Sequence, residues 1–161
     1  MPPSRALPCR SVGRTRPTWK GDDVNVTTRI ASDSDLPFLR EVDHHVSPQV
    51  LEHLVSMDRV MVAEADGVAV ACLRWGMFWD QVPFMNLLWV IPEWRGRGVG
   101  TTLVEAWEKS HLTLGRSFVL TSTSSAERAQ HLYRRLGYVD SGSLFLPDEP
   151  TELILRKPLA E

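Results

Sequence analysis

Cysteine is scarce. Cys9 and Cys72 are the only two, and neither belongs to a metal-ligand spacing or a disulfide framework. Cys72 sits in an apolar strand-like run and reads as a buried thiol. A reducing cytoplasm is the simplest compartment. Long apolar runs are missing too. None approaches the roughly 20 residues that span a bilayer, so no membrane helix is expected. Basic excess is absent: the formal net charge is −2, which argues against nucleic acid as the main partner. No internal repeat is visible. With 161 residues, 43% of them hydrophobic and 24% charged, the chain has the make-up of one soluble domain that can bury a core.

Acidic residues are missing from the beginning of the chain. Arg5, Arg10, Arg14, Arg16 and Lys20 precede the first acid, Asp22. With those five set aside, thirteen bases face 20 acids, so the remainder carries about −7. The stretch also holds four prolines and no apolar periodicity. Residues 1–22 are therefore expected to be a basic, disordered tail ahead of a domain over 23–161. An Arg-rich, acid-free start is also a transit-peptide composition, although the stretch lacks the amphipathic pattern. It has no apolar core for a secretory signal.

What the sequence does contain is concentrated between Pro83 and Thr101. Phe84–Val90 is an apolar run of strand-favouring residues. Pro92 interrupts it. Arg95, Gly96, Arg97, Gly98, Val99, Gly100 and Thr101 then open a helix with Val99, Leu103, Val104 and Trp107 on one face. A strand, a glycine loop and a helix start bring several backbone N–H groups to one point, where an anion such as a pyrophosphate binds. No lysine follows the glycines, which excludes a Walker loop. Thr101 stands where a dinucleotide loop needs its third glycine.

The other elements follow by periodicity and turn chemistry. Val24–Ile30 is expected as the first strand, Asp35–Val46 as a helix, and a second short helix starts at Pro48. Asp43, His44 and His45 stand about 100° apart on a helix, so they do not face one metal. They read as surface or pocket-lining groups, and no metal is expected. Val60–Ala65 and Val68–Trp75 form a hairpin around Asp66-Gly67. Trp75–Asp80 reads as an aromatic loop, either core or acceptor pocket. Its Trp79 and Asp80 are candidate substrate contacts. Arg116–Thr123 is the next strand, Ala126–Leu136 a helix capped by Ser124 or Ser125, and Tyr138–Leu146 and Thr151–Lys157 two closing strands.

Arg95, Gly98 and Gly100 occupy the fixed positions of Arg/Gln-x-x-Gly-x-Gly/Ala. About 30 residues on, Ala129, Leu132, Tyr133, Gly137 and Tyr138 match an Asn-x-x-Ala-x-x-Leu-Tyr-x-x-x-Gly-Phe/Tyr helix. With both motifs in this order, the sequence resembles the GNAT superfamily of N-acetyltransferases. The resemblance implies an α/β (α+β) fold, a mixed, mostly antiparallel twisted sheet of about seven strands flanked by about four helices. It implies acetyl-CoA as cofactor, held by residues 95–101, with a small-molecule or peptide amine as acceptor and a homodimer as one option. It places the carbonyl-polarising N–H in the central strand, near Leu88, Trp89 and Val90. Tyr133 matches the acid that protonates the departing thiolate. Ala126 departs from the family asparagine, and Ser124 or Ser125 is then left to serve the cofactor arm. Some relatives carry a glutamate where this chain has Asn86, and an amide cannot accept a proton. Asn86 is left to orient the acceptor or a water. A non-catalytic acyl-CoA sensor is the alternative to the enzyme.

Overall fold

The structure, a computed structural model, describes residues 25–160; the basic tail expected over 1–22 lies outside them. Seven strands are present: β1 (Val26–Ile30), β2 (Val60–Ala65), β3 (Val68–Phe78), β4 (Val82–Val90), β5 (Phe118–Ser124), β6 (Val139–Leu144) and β7 (Glu152–Pro158). Four α-helices join them: α1 (Leu36–Val42), α2 (Pro48–Ser56), α3 (Val99–Thr113) and α4 (Ala129–Arg135). The strands form one sheet in the order β1-β2-β3-β4-β5-β7-β6. Every pairing is antiparallel except β4 with β5. The connection between these two strands carries α3, and a parallel pair needs such a crossover.

Apolar residues pack on both faces of the sheet. On one face α3 and α4 bury Leu103, Val104, Trp107 and Tyr133 against Leu73, Trp75, Met85 and Val119. On the other, α1 and α2 bury Leu39, Leu51 and Val55 against Val60, Val62 and Cys72. Cys72 is the expected buried thiol, and burial pushes it up to about 12. The second helical layer covers only the β1–β4 half of the sheet. Beyond β4, among the described residues, no helix lies over that face.

Three local differences from the sequence reading have clear causes. The helix expected to reach Val46 stops at Val42, because Asp43 turns inward. Its Oδ2 accepts from Arg74 Nε at 2.6 Å, with both side chains buried. Asp43 is thus a structural ion-pair partner rather than a surface group. The expected aromatic loop is mostly strand: β3 runs to Phe78 and β4 restarts at Val82. Trp79 and Asp80, at φ 52° and 59°, make the two-residue turn. Gln81 N donates to Phe78 O across it at 3.2 Å. Such turns usually hold Asn or Gly, so Trp-Asp gave no signal. Finally, α4 starts at Ala129 instead of Ala126. Ser124 Oγ accepts from Ala126 N at 3.3 Å and shapes a turn ahead of the helix.

Candidate active site

The β4–β5 pair is short. Only Phe84 with Leu120 and Met85 with Thr121 are in register, and beyond them the strands part. β4 bulges at the same place. Arg74 pairs with Leu87 and Trp75 with Met85, so Asn86 is the extra residue. The bulge resets side-chain alternation: Met85 faces α3, whereas Leu87 packs under α1 and α2. Bulges of this kind re-aim a strand beside functional sites. The edge of β4 from Leu87 to Val90 that would face β5 therefore borders an opening.

A cleft of about 880 Å³ fills that opening on the α3–α4 side. Leu88, Trp89 and Val90 form one wall, and Thr121, Thr123 and Ser124 the other. Arg95 and Gly100 lie at its α3 end, and Tyr133 in its α4 wall. Gly98 is the N-cap of α3 at φ +80°, and Gly96 has φ +73°. A Cβ at either would meet nothing within 4 Å. The glycines are thus required by backbone conformation, and they leave open space in front of the helix. Thr102 N makes the first helical bond, to Gly98 O at 2.9 Å. The N–H groups of Val99, Gly100 and Thr101 precede it and have no partner within the helix. The positive end of a four-turn helix points the same way.

The arginines behave differently from one another. Arg95 Nε donates to Val90 O at 2.8 Å and its guanidinium lies 4.9 Å from the Trp89 ring centroid. It braces the loop against β4 while lining the cleft. Arg97 stacks on Trp94 at 5.3 Å and does not line the cleft. The Val99 side chain is core.

Tyr133 is 5% exposed. Burial pushes its phenol up to about 12, a rise partly opposed by its hydrogen bond with Thr121. The group therefore stays protonated at neutral pH. Thr121 Oγ1 in turn donates to Met85 O at 3.1 Å, tying the last paired residues of β4 and β5. Two acidic cleft residues escaped the sequence reading. Glu127 accepts from Thr123 Oγ1 at 3.1 Å, and Glu152 begins β7. His45, read as surface or pocket-lining, borders the cleft, its N–H held by Asp43 Oδ1 at 3.1 Å. Glu127 stands at an unspecified position of the second motif, and the neighbourhoods of Glu152 and His45 carried none; only the fold brings the three to the cleft. Ser125 stays outside, its N–H bonded to Thr151 O at 2.8 Å.

A second cavity, of about 620 Å³, lies on the opposite face. Asn86 and Ser122 line both spaces. They are the first residues past the paired stretch, one on each lip of the opening. Trp79 reaches the rim of this cavity but is 78% exposed, and Asp80 lines neither space. Among the described residues no cluster of three or more His, Cys, Asp or Glu could hold a metal ion.

Residues 56–140, more than half of the chain, match the family described as the acetyltransferase (GNAT) domain. The chain belongs to the GNAT family. No curated protein matches this GNAT chain significantly. Solved structures share its fold at low identity. Ard1 from Thermoplasma volcanium is 17% identical, with a TM-score of 0.75 over 84% of this chain and 99% of its own. Spermidine/spermine N-acetyltransferase SpeG from Vibrio cholerae is 18% identical, with a TM-score of 0.68 over 83% and 92%. N-acetylglutamate synthase from Neisseria gonorrhoeae, solved with coenzyme A and N-acetyl-glutamate, is 18% identical, with a TM-score of 0.71 over 87% of this chain and 36% of its own. The seven-stranded, mostly antiparallel sheet with four helices is the expected GNAT architecture.

Proposed function

We propose that this GNAT domain is an acetyl-CoA-dependent N-acetyltransferase acting on a primary amine. One observation carries the reading. Two cavities on opposite sheet faces meet at Asn86 and Ser122, where β4 and β5 part. Two reactants can then approach one point from opposite sides, without sharing an entrance. Solved structures of similar fold hold coenzyme A, and the cleft on the α3–α4 side offers a volume of about 880 Å³, a free strand edge and a helix start to take it.

In this reading Gly96, Gly98 and the N–H groups of Val99, Gly100 and Thr101 hold the pyrophosphate. The free edge from Leu88 to Val90 pairs with the pantetheine arm, and one of its N–H groups polarises the thioester carbonyl. Ser124 lines the arm's path. Acetyl-CoA supplies an acyl thioester; amine attack forms a C–N bond and breaks the C–S bond. Tyr133 holds its proton at the phenol oxygen and gives it to the sulfur. Asn86, at the junction, orients the amine by hydrogen bonding. His45 and Glu152 face the cleft with no side-chain hydrogen bond among the described residues, and either can take the proton that the amine loses.

Calorimetry with acetyl-CoA, followed by thiol release over a panel of amines, tests this. The expected outcome is saturable acetyl-CoA binding and amine-dependent thiol release. Binding without release for any amine would instead favour the acyl-CoA sensor. The placement of Tyr133 in the cleft favours the enzyme, since a sensor needs no buried proton donor there.

A further inference from the structure

The cavity opposite the cofactor cleft has a distinctive chemistry. Its floor is apolar: Phe84 on β4, Leu120 on β5 and Ile154 on β7. Phe78 and Leu144 continue it towards the rim. Arg156 is the one charged residue lining it. The register puts Ser122 beside Ile154, and Leu120 beside Arg156. Arg156 therefore sits one two-residue step, roughly 7 Å, along the sheet from the row where the two cavities join. Its side chain is half-buried. It makes no ion pair and no side-chain hydrogen bond among the described residues.

Every other basic residue in the described strands is paired. Arg29 has Asp35 and Glu64, Arg74 has Asp43, and Lys157 has Glu108. Arg156, one residue from Lys157, is left facing an apolar cavity. A guanidinium is a planar fork suited to a carboxylate, and its attraction grows where water is scarce. The cavity offers no Asp or Glu to a second positive charge. A polyamine would thus bring cations with nothing to meet them, and Arg156 would repel them.

We propose that the acceptor is a primary amine that carries an apolar or aromatic body and a carboxylate. An apolar amino acid and a short apolar peptide with a free C-terminus share this chemistry. The amine lies at Asn86 and Ser122, the body on Phe84, Leu120 and Ile154, and the carboxylate on Arg156. This assignment rests on the acyl-transfer reading for the role of the amine, but the carboxylate site is measurable without transfer.

The test uses the full chain, saturated with coenzyme A, in calorimetric titrations. Ligands are L-phenylalanine, the dipeptide leucyl-phenylalanine, phenethylamine and spermidine. At least one carboxylate-bearing ligand should bind about tenfold or more tightly than phenethylamine, the gain of one charge-assisted pair. Which of the two does so separates amino acid from peptide. Arg156→Gln should bring that ratio close to one, and Arg156→Lys should keep part of it. Acetyl-CoA affinity should stay unchanged in both variants. Equal binding of phenethylamine and both carboxylate ligands by the wild type would overturn the proposal. So would an undiminished ratio in Arg156→Gln, or tightest binding by spermidine. If Arg156→Gln fails to fold, the wild-type comparison alone decides. Absence of acetyl-CoA binding by the wild type would sink the acyl-transfer reading, while the ligand ratios would still judge the carboxylate site.

Discussion

Tyr133 combines burial with access. Its ring packs 5.6 Å from that of Tyr138, and its side chain borders the cleft. Burial that pushes the phenol up to about 12 keeps it protonated at neutral pH, and the same apolar surroundings raise the proton affinity of a thiolate held against it. Tyr133→Phe removes only the hydroxyl. Turnover should fall by ~10²–10⁴, the usual contribution of a positioned acid, with melting temperature and acetyl-CoA affinity near wild type. Full turnover in this variant, with chemistry shown to be rate-limiting, would return the side chain to a packing role. Asp43 is a contrasting case. It is buried for structure, and removing it leaves Arg74 charged and alone. Asp43→Ala should cost about 3–5 kcal/mol, read by chemical denaturation. A loss below about 1 kcal/mol would show that water reaches Arg74.

At the scale of elements, the start of α3 is the clearest case. Gly98 lies at φ +80°, a region that β-branched side chains avoid. Gly98→Val strains the cap and places methyl groups in the open space before the helix. Acetyl-CoA affinity, read by calorimetry, should drop by about tenfold or more, while the melting temperature falls by only a few degrees. Equal affinity would remove the pyrophosphate from this loop. The helix itself was readable beforehand, because Val99, Leu103, Val104 and Trp107 repeat at helical spacing and all four are buried. The end of α1 was not. Its apolar pattern continues to Val46, and only the distant Arg74 explains why the chain leaves the helix at Asp43.

The whole molecule has a built-in acid sensitivity in its core. His111 on α3 packs edge-on against Trp75 and Trp107, at 5.7 and 5.0 Å. Neither ring nitrogen has a hydrogen-bond partner. Burial, aided by the charge of Arg116, pushes His111 down to about 4 from its usual 6.5. The unfolded chain therefore binds a proton that the folded one refuses between those values. Stability from this group is complete above about pH 6.5 and is lost as pH falls towards 4, at up to about 1.4 kcal/mol per pH unit. Denaturation curves across that window should show the slope, and His111→Phe should flatten it. An equal slope in the variant would assign the acid sensitivity in this window to other groups; Asp35 and Asp140, held below the usual carboxylate range by Arg29 and Arg134, add their loss only at more acidic pH, below about 4.

The sequence by itself determined the elements and their order, the glycine loop, the helix face carrying Tyr133, and the family. These depend on spacing within one turn or one strand, and neighbours along the chain settle them. Tertiary structure alone decided where β4 and β5 part, and that Asn86 is a bulge. It also brought His45 and Glu152 to the cleft and set Arg156 in an apolar cavity beyond the junction. Those facts depend on register between strands far apart in sequence, and register is a property of the paired sheet. No single strand carries it, because a strand's alternating pattern is the same whether its neighbour holds it along its full length or lets it go after two residues.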